Sequence, residues 1–307
     1  MGSCPTDTSN LRPVEGHFDL DGHRRWYSVR GDLAAEGAPV VVCHGGPGSP
    51  HDYLENVPEL LGERAVVLYD QLGCGKSKHL PDADPGFWTP ELFERELAGL
   101  VEHLGIAKRY NVLGQSWGGL LGLVHALERP PGLVSFVVAD VPASMSDYVV
   151  CLNELVDAMD PDVAAAIREG ERTGAIDTPD CQAAMMAFFA AHLCRLDPWP
   201  ECLTRTLELW QEDPTVAQAM TGMKWLTAAG TLADFDLSDR LAEIEVPVLL
   251  ITGAHDRVRP WAAEKVQARL ARSEWVLFED SSHFPHLEEP ERFGAVVEAF
   301  LRSTEGR

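Results

Sequence analysis

Short apolar runs recur along the chain, each closing at a glycine-rich or polar stretch: "APVVVCHGG", "RAVVLYDQ", "YNVLGQS", "LVSFVVAD" and, after a long gap, "VPVLLITGAHD" and "SEWVLFEDSSH". Between them lie segments with helical periodicity, such as "TPELFERELAGLVEHLG", "WGGLLGLVHALER" and "RPWAAEKVQARLA". Buried runs alternating with amphipathic helices predict an α/β fold, a mainly parallel sheet with helices on both faces. Near the start, "HFDLDGHRRWYSVRG" alternates in the manner of a hairpin, with Asp21 and Gly22 at its turn.

The pattern changes over residues 141–236. No strand-like run occurs there, and stretches such as "VVCLNELVDAMD" and "CQAAMMAFFAAHLCRLDPW" are rich in alanine, methionine and leucine. This predicts a helical lid inserted between two strands of one core, the core itself formed by 1–140 and 237–307. Its large apolar residues, Met185, Met186, Phe188, Phe189, Trp199, Trp210 and Trp225, read first as the insertion's own core.

Composition narrows the function. With 25 Lys+Arg against 48 Asp+Glu in 307 residues, the net charge is −23. Such a surface repels nucleic acid and anionic membranes, so neither is an expected partner. The opening "MGSCPTDTSNLRPVEG" lacks a basic region followed by an apolar run, and no stretch has the length and apolarity of a membrane span. The seven cysteines, Cys4, Cys43, Cys74, Cys151, Cys181, Cys194 and Cys202, are scattered without a CxxC pair, which predicts free thiols in a reducing cytoplasm and no zinc site.

The chemistry is carried by three strand ends. "GQSWGG" places Ser116 between glycines where a strand gives way to a helix, the pattern of a nucleophile elbow. A serine nucleophile needs a base, an acid to orient it and donors for an oxyanion. Asp256, just past "VPVLLITG", stands where the acid belongs, although an aspartate there is also a good helix cap. His283 in "FEDSSHFPHLEEPERF" follows the next strand and is the expected base. His286 is its competitor, and His255 adjoins the acid without following the last strand. The expected oxyanion donors are the N–H of Trp117 and that of Gly46 or Gly45 in "HGGPG". Serine at position 116, where dehalogenase or epoxide-hydrolase chemistry would need a carboxylate, implies an acyl-enzyme. That reaction requires no metal or organic cofactor.

The set "HGGPGSPHDYL", "DQLGCGKS", "GQSWGG", "GAHD" and "DSSHFPHLEEP" resembles the proline iminopeptidase family, in particular the branch of tricorn-interacting aminopeptidases and amino-acid amidases. The resemblance runs from about Glu15 to Phe300. It implies an α/β-hydrolase core with a helical cap, release of an N-terminal amino acid from a peptide or amide, Ser116, Asp256 and His283 as triad, and Gly45, Gly46 and Trp117 as oxyanion region. It also implies glutamates that hold the substrate's ammonium. Here Arg257 follows Asp256, and Lys224 and Trp225 occupy the cap segment "MTGMKWL". The cap acids Glu201, Glu208, Glu212 and Asp213 each read first as a solvated charge on a helical surface; the candidate substrate contacts among the cap residues are Glu208, Glu212 and Trp225.

The leading expectation is therefore a serine hydrolase acting on a short peptide, an amino-acid amide or an aminoacylated metabolite with a free amine. An esterase, lactonase or thioesterase would use the same triad without that amine. A non-catalytic binding protein is the third reading, and an intact set of triad residues speaks against it.

Overall fold

The computed structural model describes residues 12–306; Cys4 and most of the opening stretch lie outside them. The eight strands are β1 (Val14–Leu20), β2 (His23–Arg30), β3 (Val40–Cys43), β4 (Val66–Tyr69), β5 (Tyr110–Gln115), β6 (Leu133–Ala139), β7 (Val248–Gly253) and β8 (Ser273–Phe278). They form one sheet in the order β1-β2-β4-β3-β5-β6-β7-β8. β2 pairs antiparallel with β1 and β4, and every other pairing is parallel. The hairpin turns at Asp21 and Gly22, with φ of 53° and 76°, so Leu20 pairs with His23. Two consecutive residues in the left-handed region match the twist of the flanking strands.

The short central strands are apolar at every position because both faces are covered. Val41, Cys43 and Val67 enter one core, which they share with Leu97 of α2 (Pro90–His103) and Leu121 of α3 (Trp117–Leu127). Val40, Val42 and Val66 enter the other, against Val57 of α1 (Val57–Leu60) and Phe293, Val297 and Leu301 of α11 (Pro290–Glu305). Period-two alternation divides each strand between the faces. Each fully buried aliphatic side chain contributes roughly 1.5–3 kcal/mol.

Between β6 and β7 the structure places α4 (Met145–Asp157), α5 (Pro161–Thr173), α6 (Pro179–His192), α7 (Glu201–Glu212) and α8 (Thr215–Thr221). Side chains cap the starts of three of them: Ser144, Asp160 and Thr178 accept from Asp147, Asp162 and Cys181 N–H groups. Ser144 and Asp236 pair in an antiparallel bridge where the segment leaves and rejoins the sheet. The segment has its own small core of Leu152, Leu155, Ile167 and Phe188. The apolar residues expected there divide in practice. Phe188 is buried, Met186 is 51% exposed, and Trp199 packs on the sheet's second core. Phe189 and Trp225 pack against that small core as expected and, with Trp210, also face a cavity beside Ser116. After β7 come α9 (Pro260–Gln267) and α10 (Pro285–Glu288). Among the described residues no helix is long and apolar enough to cross a membrane.

Candidate active site

Ser116 sits between β5 and α3 with φ 54° and ψ −124°. A non-glycine residue held there costs on the order of 1–3 kcal/mol, so the surroundings must fix it. Its N–H donates to Ala139 O at 2.9 Å, and its carbonyl accepts from Gly119 and Leu120 as α3 begins. The glycines allow this close packing. A Cβ on Gly118 would stand 2.0 Å from the Cys43 carbonyl oxygen, and one on Gly114 would stand 2.2 Å from that of Gly118.

The expected acid and base, Asp256 and His283, stand after the next strand ends. His283 Nδ1 donates to Asp256 Oδ1 at 2.7 Å, with both side chains buried. This bond leaves the Nε2 lone pair outward, the tautomer that a general base requires. Burial first, and Arg257 next, lower the His283 pKa, while Asp256 opposes them. The main chain of His283 is pinned as well: its carbonyl accepts from Gln115 Nε2 at 2.9 Å and its N–H donates to Leu193 O at 3.2 Å. The Glu288 carboxylate grips the same loop through the N–H groups of Ser282 and Phe284. Asp256 does not cap α9, whose N-cap residue is Arg259. His286 is a packing residue that bonds the Tyr53 carbonyl at 3.1 Å, its pKa driven down to about 3 by burial. His255 is exposed.

Ser116 and His283 line one cavity of about 110 Å³ together with Gly46, Phe189, Trp210 and Trp225. Among the described residues no hydrogen bond joins Ser116 Oγ to His283 Nε2; that nitrogen accepts from Arg257 Nη2 at 2.9 Å. A smaller cavity of about 50 Å³ that shares Ser116 and Gly46 with the first is lined also by Trp117, Asp140 and Tyr148.

Two sequence expectations require correction. Gly45 is not an oxyanion donor, because its N–H donates to the Tyr53 hydroxyl at 2.7 Å. Gly46 borders both cavities at Ser116 and Trp117 the smaller one, and among the described residues neither main-chain N–H has a protein acceptor. Glu208 and Glu212 do not reach the cavity: they are exposed on α7, which turns Leu203, Thr206, Leu207 and Trp210 inward. Trp225 does line it.

Sequence reading missed the bracing residues. Tyr53 accepts from Gly45 and donates to Gln115 Oε1 at 2.7 Å. Gln71, within "DQLGCGKS", accepts from Trp117 Nε1 at 2.9 Å and donates through Nε2 to His44 O at 3.0 Å, tying elbow and glycine loop together. Asp140, one residue beyond β6, has φ 62°, accepts the Gly253 N–H at 3.1 Å, and lies with Asp256 and His283 in a cluster whose ligand-type atoms are within 4.8 Å of one another. A carboxyl at the end of "LVSFVVAD" and a glutamine inside the elbow were the available signals. The six described cysteines are free thiols.

With that geometry in place, comparison with known proteins places the chain. A family model for the alpha/beta hydrolase fold matches residues 38–290. A proline iminopeptidase of Lactobacillus helveticus is 34% identical over 94% of this chain and 97% of its own. The chain belongs to the proline iminopeptidase family of α/β hydrolases. Two solved structures agree. That of VinJ is 42% identical with a TM-score of 0.92, covering 95% of this chain and 100% of VinJ. The proline iminopeptidase of Mycobacterium smegmatis is 37% identical with a TM-score of 0.89, covering 95% of this chain and 99% of its own. The comparisons thus show the fold and the family, and the feature of this site that remains to be accounted for is Arg257 on the imidazole.

Proposed function

We propose that this family member is a serine hydrolase that releases an N-terminal aminoacyl group from a short peptide, an amino-acid amide or an aminoacylated metabolite. The observation that carries the reading is the Asp256–His283 bond at 2.7 Å beside a strained Ser116 on the same cavity. The proline iminopeptidases that resemble the chain along nearly its whole length support the aminopeptidase half.

In this mechanism Ser116 Oγ attacks the scissile carbonyl and its proton passes to His283 Nε2. Asp256 keeps the ring in its tautomer and stabilises the imidazolium. The N–H groups of Gly46 and Trp117 receive the oxyanion, each typically worth about 3 kcal/mol of transition-state stabilisation. As the C–N bond breaks, His283 returns the proton to the leaving nitrogen. Water, deprotonated by the same nitrogen, then attacks the acyl-enzyme, releasing the acid and restoring the serine. The helices between β6 and β7 act as the lid, with Phe189, Trp210 and Trp225 shaping an apolar, aromatic acyl pocket. The free thiols suit a reducing cytoplasm, and the acidic surface suits neither nucleic acid nor an anionic membrane.

One observation favours a second reading. Among the described residues, the three cavities that share Gly46 and Arg257, two of them lined by Ser116, carry a single carboxyl, Asp140, and no glutamate. An esterase or thioesterase would need no ammonium clamp. Paired anilides of proline, alanine and leucine, free and N-acetylated, separate the two when assayed beside an acyl ester and a Ser116→Ala control. Turnover confined to the free amines and lost in the variant is the expected result. Turnover of acetylated anilides or the ester alone would replace it with the second reading.

A further inference from the structure

We propose that Arg257 is a receptor for the carboxylate of an amino-acid leaving group, and that capture of this carboxylate releases His283 for catalysis. The inference rests on the aminoacyl-hydrolase reading and names the substrate class within it: dipeptides and other aminoacyl amino acids with a free terminal carboxylate.

The first observation is the bond itself. Arg257 Nη2 lies 2.9 Å from His283 Nε2, the nitrogen that must face Ser116 and later protonate the leaving group. While that contact persists, the lone pair of the base is engaged by a cation. A productive substrate therefore has to offer the guanidinium something better.

The second observation is that Arg257 is under-partnered. A guanidinium has five N–H donors. Its Nε is buried without a partner, and among the described residues its side chain forms no ion pair and no hydrogen bond besides that to His283. By contrast Arg25, Arg64, Arg205 and Arg292 all pair with carboxylates. The Arg257 main chain is held to His192 O at 3.1 Å, so the group stays at the site.

The third is charge. In a chain of net charge −23, a third cavity, also of about 110 Å³ and lined mostly by residues of the insertion, has Arg257 and the exposed Lys224, whose ammonium donates to Glu171 O, on its wall and no acid. Arg257 also borders the two cavities at Ser116, of which only the smaller carries a carboxyl, Asp140. The Ser116–His283 cavity and the third cavity therefore offer a negative group a cation and no competing acid.

Position then selects which one. The leaving nitrogen must come within hydrogen-bond reach of Nε2. In an amino-acid leaving group the carboxylate is attached to the same α-carbon as that nitrogen, which brings it to the guanidinium. Carboxylate is the natural bidentate partner of arginine and a stronger acceptor than a neutral imidazole. Arg257 therefore moves from the ring to the substrate, and the freed Nε2 accepts from Ser116. A terminal amide has no charge with which to drive this exchange.

The test compares alanyl-leucine with alanyl-leucinamide, and prolyl-leucine with prolyl-leucinamide, in the wild type, Arg257→Gln and Arg257→Lys. The wild type is expected to favour each acid over its amide by at least about tenfold in kcat/KM. Gln should bring that ratio close to one, and Lys should restore part of it. A wild-type ratio near one, or a preference that survives in Arg257→Gln, overturns the proposal. Calorimetric titration of Ser116→Ala with leucine and with leucinamide reads the site without turnover. Binding of leucine alone, lost when Arg257→Gln is added, is the expected result; equal binding of both overturns the proposal. Selective leucine binding in a protein whose wild type cleaves none of the four peptides would preserve the carboxylate site and overturn the hydrolytic reading instead.

Discussion

The hydroxyl of Tyr53 accepts the N–H of Gly45 at 2.7 Å and donates to Gln115 Oε1 at 2.7 Å, so one buried side chain locks the glycine loop to the strand that ends in Ser116. Gly46, one residue further on, lines the cavity at Ser116, while the Gly45 N–H is occupied by the tyrosine. Tyr53→Phe keeps the ring in its packing against Phe284 and removes only the oxygen. The Gly45 N–H is then buried without an acceptor, costing roughly 1–3 kcal/mol of stability. Misplacement of Gly46 should lower kcat on the order of tenfold to a hundredfold with a smaller change in KM. Steady-state kinetics and urea unfolding of the variant measure both, and an unchanged kcat would detach the tyrosine from the oxyanion site.

A second carboxyl, Asp140, stands beside Asp256. Burial first, and the charge of Asp256 next, hold Asp140 protonated well above the ordinary aspartate range. A carboxyl that binds its proton more tightly in the folded state favours folding fully below its unfolded pKa, and this contribution is lost as pH rises through the folded value. Asp140→Asn removes that loss. The variant should gain stability relative to wild type as pH rises above the ordinary aspartate value of about 3.9, by up to about 1.4 kcal/mol per pH unit until the folded carboxyl ionises. Asn should retain more activity than Ala, because it keeps a carbonyl oxygen for the Gly253 N–H. Denaturant unfolding at several pH values gives the slope; parallel curves for the two proteins would mean that Asp140 is ionised when folded.

The contrast between Ser116 and Arg257 shows what a sequence makes legible. Ser116, Asp256 and His283 each follow an apolar run, so the parallel sheet and its chain order specify where they stand. The hairpin at Asp21 and Gly22 is equally local. The Tyr53–Gly45 lock, the Gln71–Trp117 bond and the Arg257–His283 contact depend on side-chain directions set by tertiary packing. Glu208 and Glu212 failed for the same reason. Composition identified acids on a helix, but the face that helix turns inward was decided by Leu203, Leu207 and Trp210 packing on the cavity.

The pH–rate profile should report His283. The imidazole acts as a base only when neutral, so kcat/KM falls as acid protonates it. Burial and Arg257 lower its pKa below the ordinary 6.5 against the pull of Asp256, so the acidic limb should inflect below that value. Arg257→Gln removes one lowering influence and should move the inflection upward. An inflection at or above 6.5 in the wild type, or one unmoved by the substitution, would contradict this electrostatic account.

The hairpin is tied to the helical layer by Arg25 and Glu96, both fully buried and 2.7 Å apart. The Glu96 carboxylate also accepts the Leu72 N–H at 3.1 Å, next to the Gln71 that braces Trp117. Removing one partner strands the other charge in the interior, at a cost of about 3–5 kcal/mol. Glu96→Gln should therefore lower the urea midpoint sharply. Replacing both residues by methionine removes the charges together and should recover much of the loss, since a buried pair gains little over apolar packing of similar volume. The cycle of both single variants and the double variant measures the coupling directly. Additive losses would show that the two charges are independently solvated, while a double variant more stable than either single one would establish the pair as a positional link between β2, α2 and the loop behind the active site.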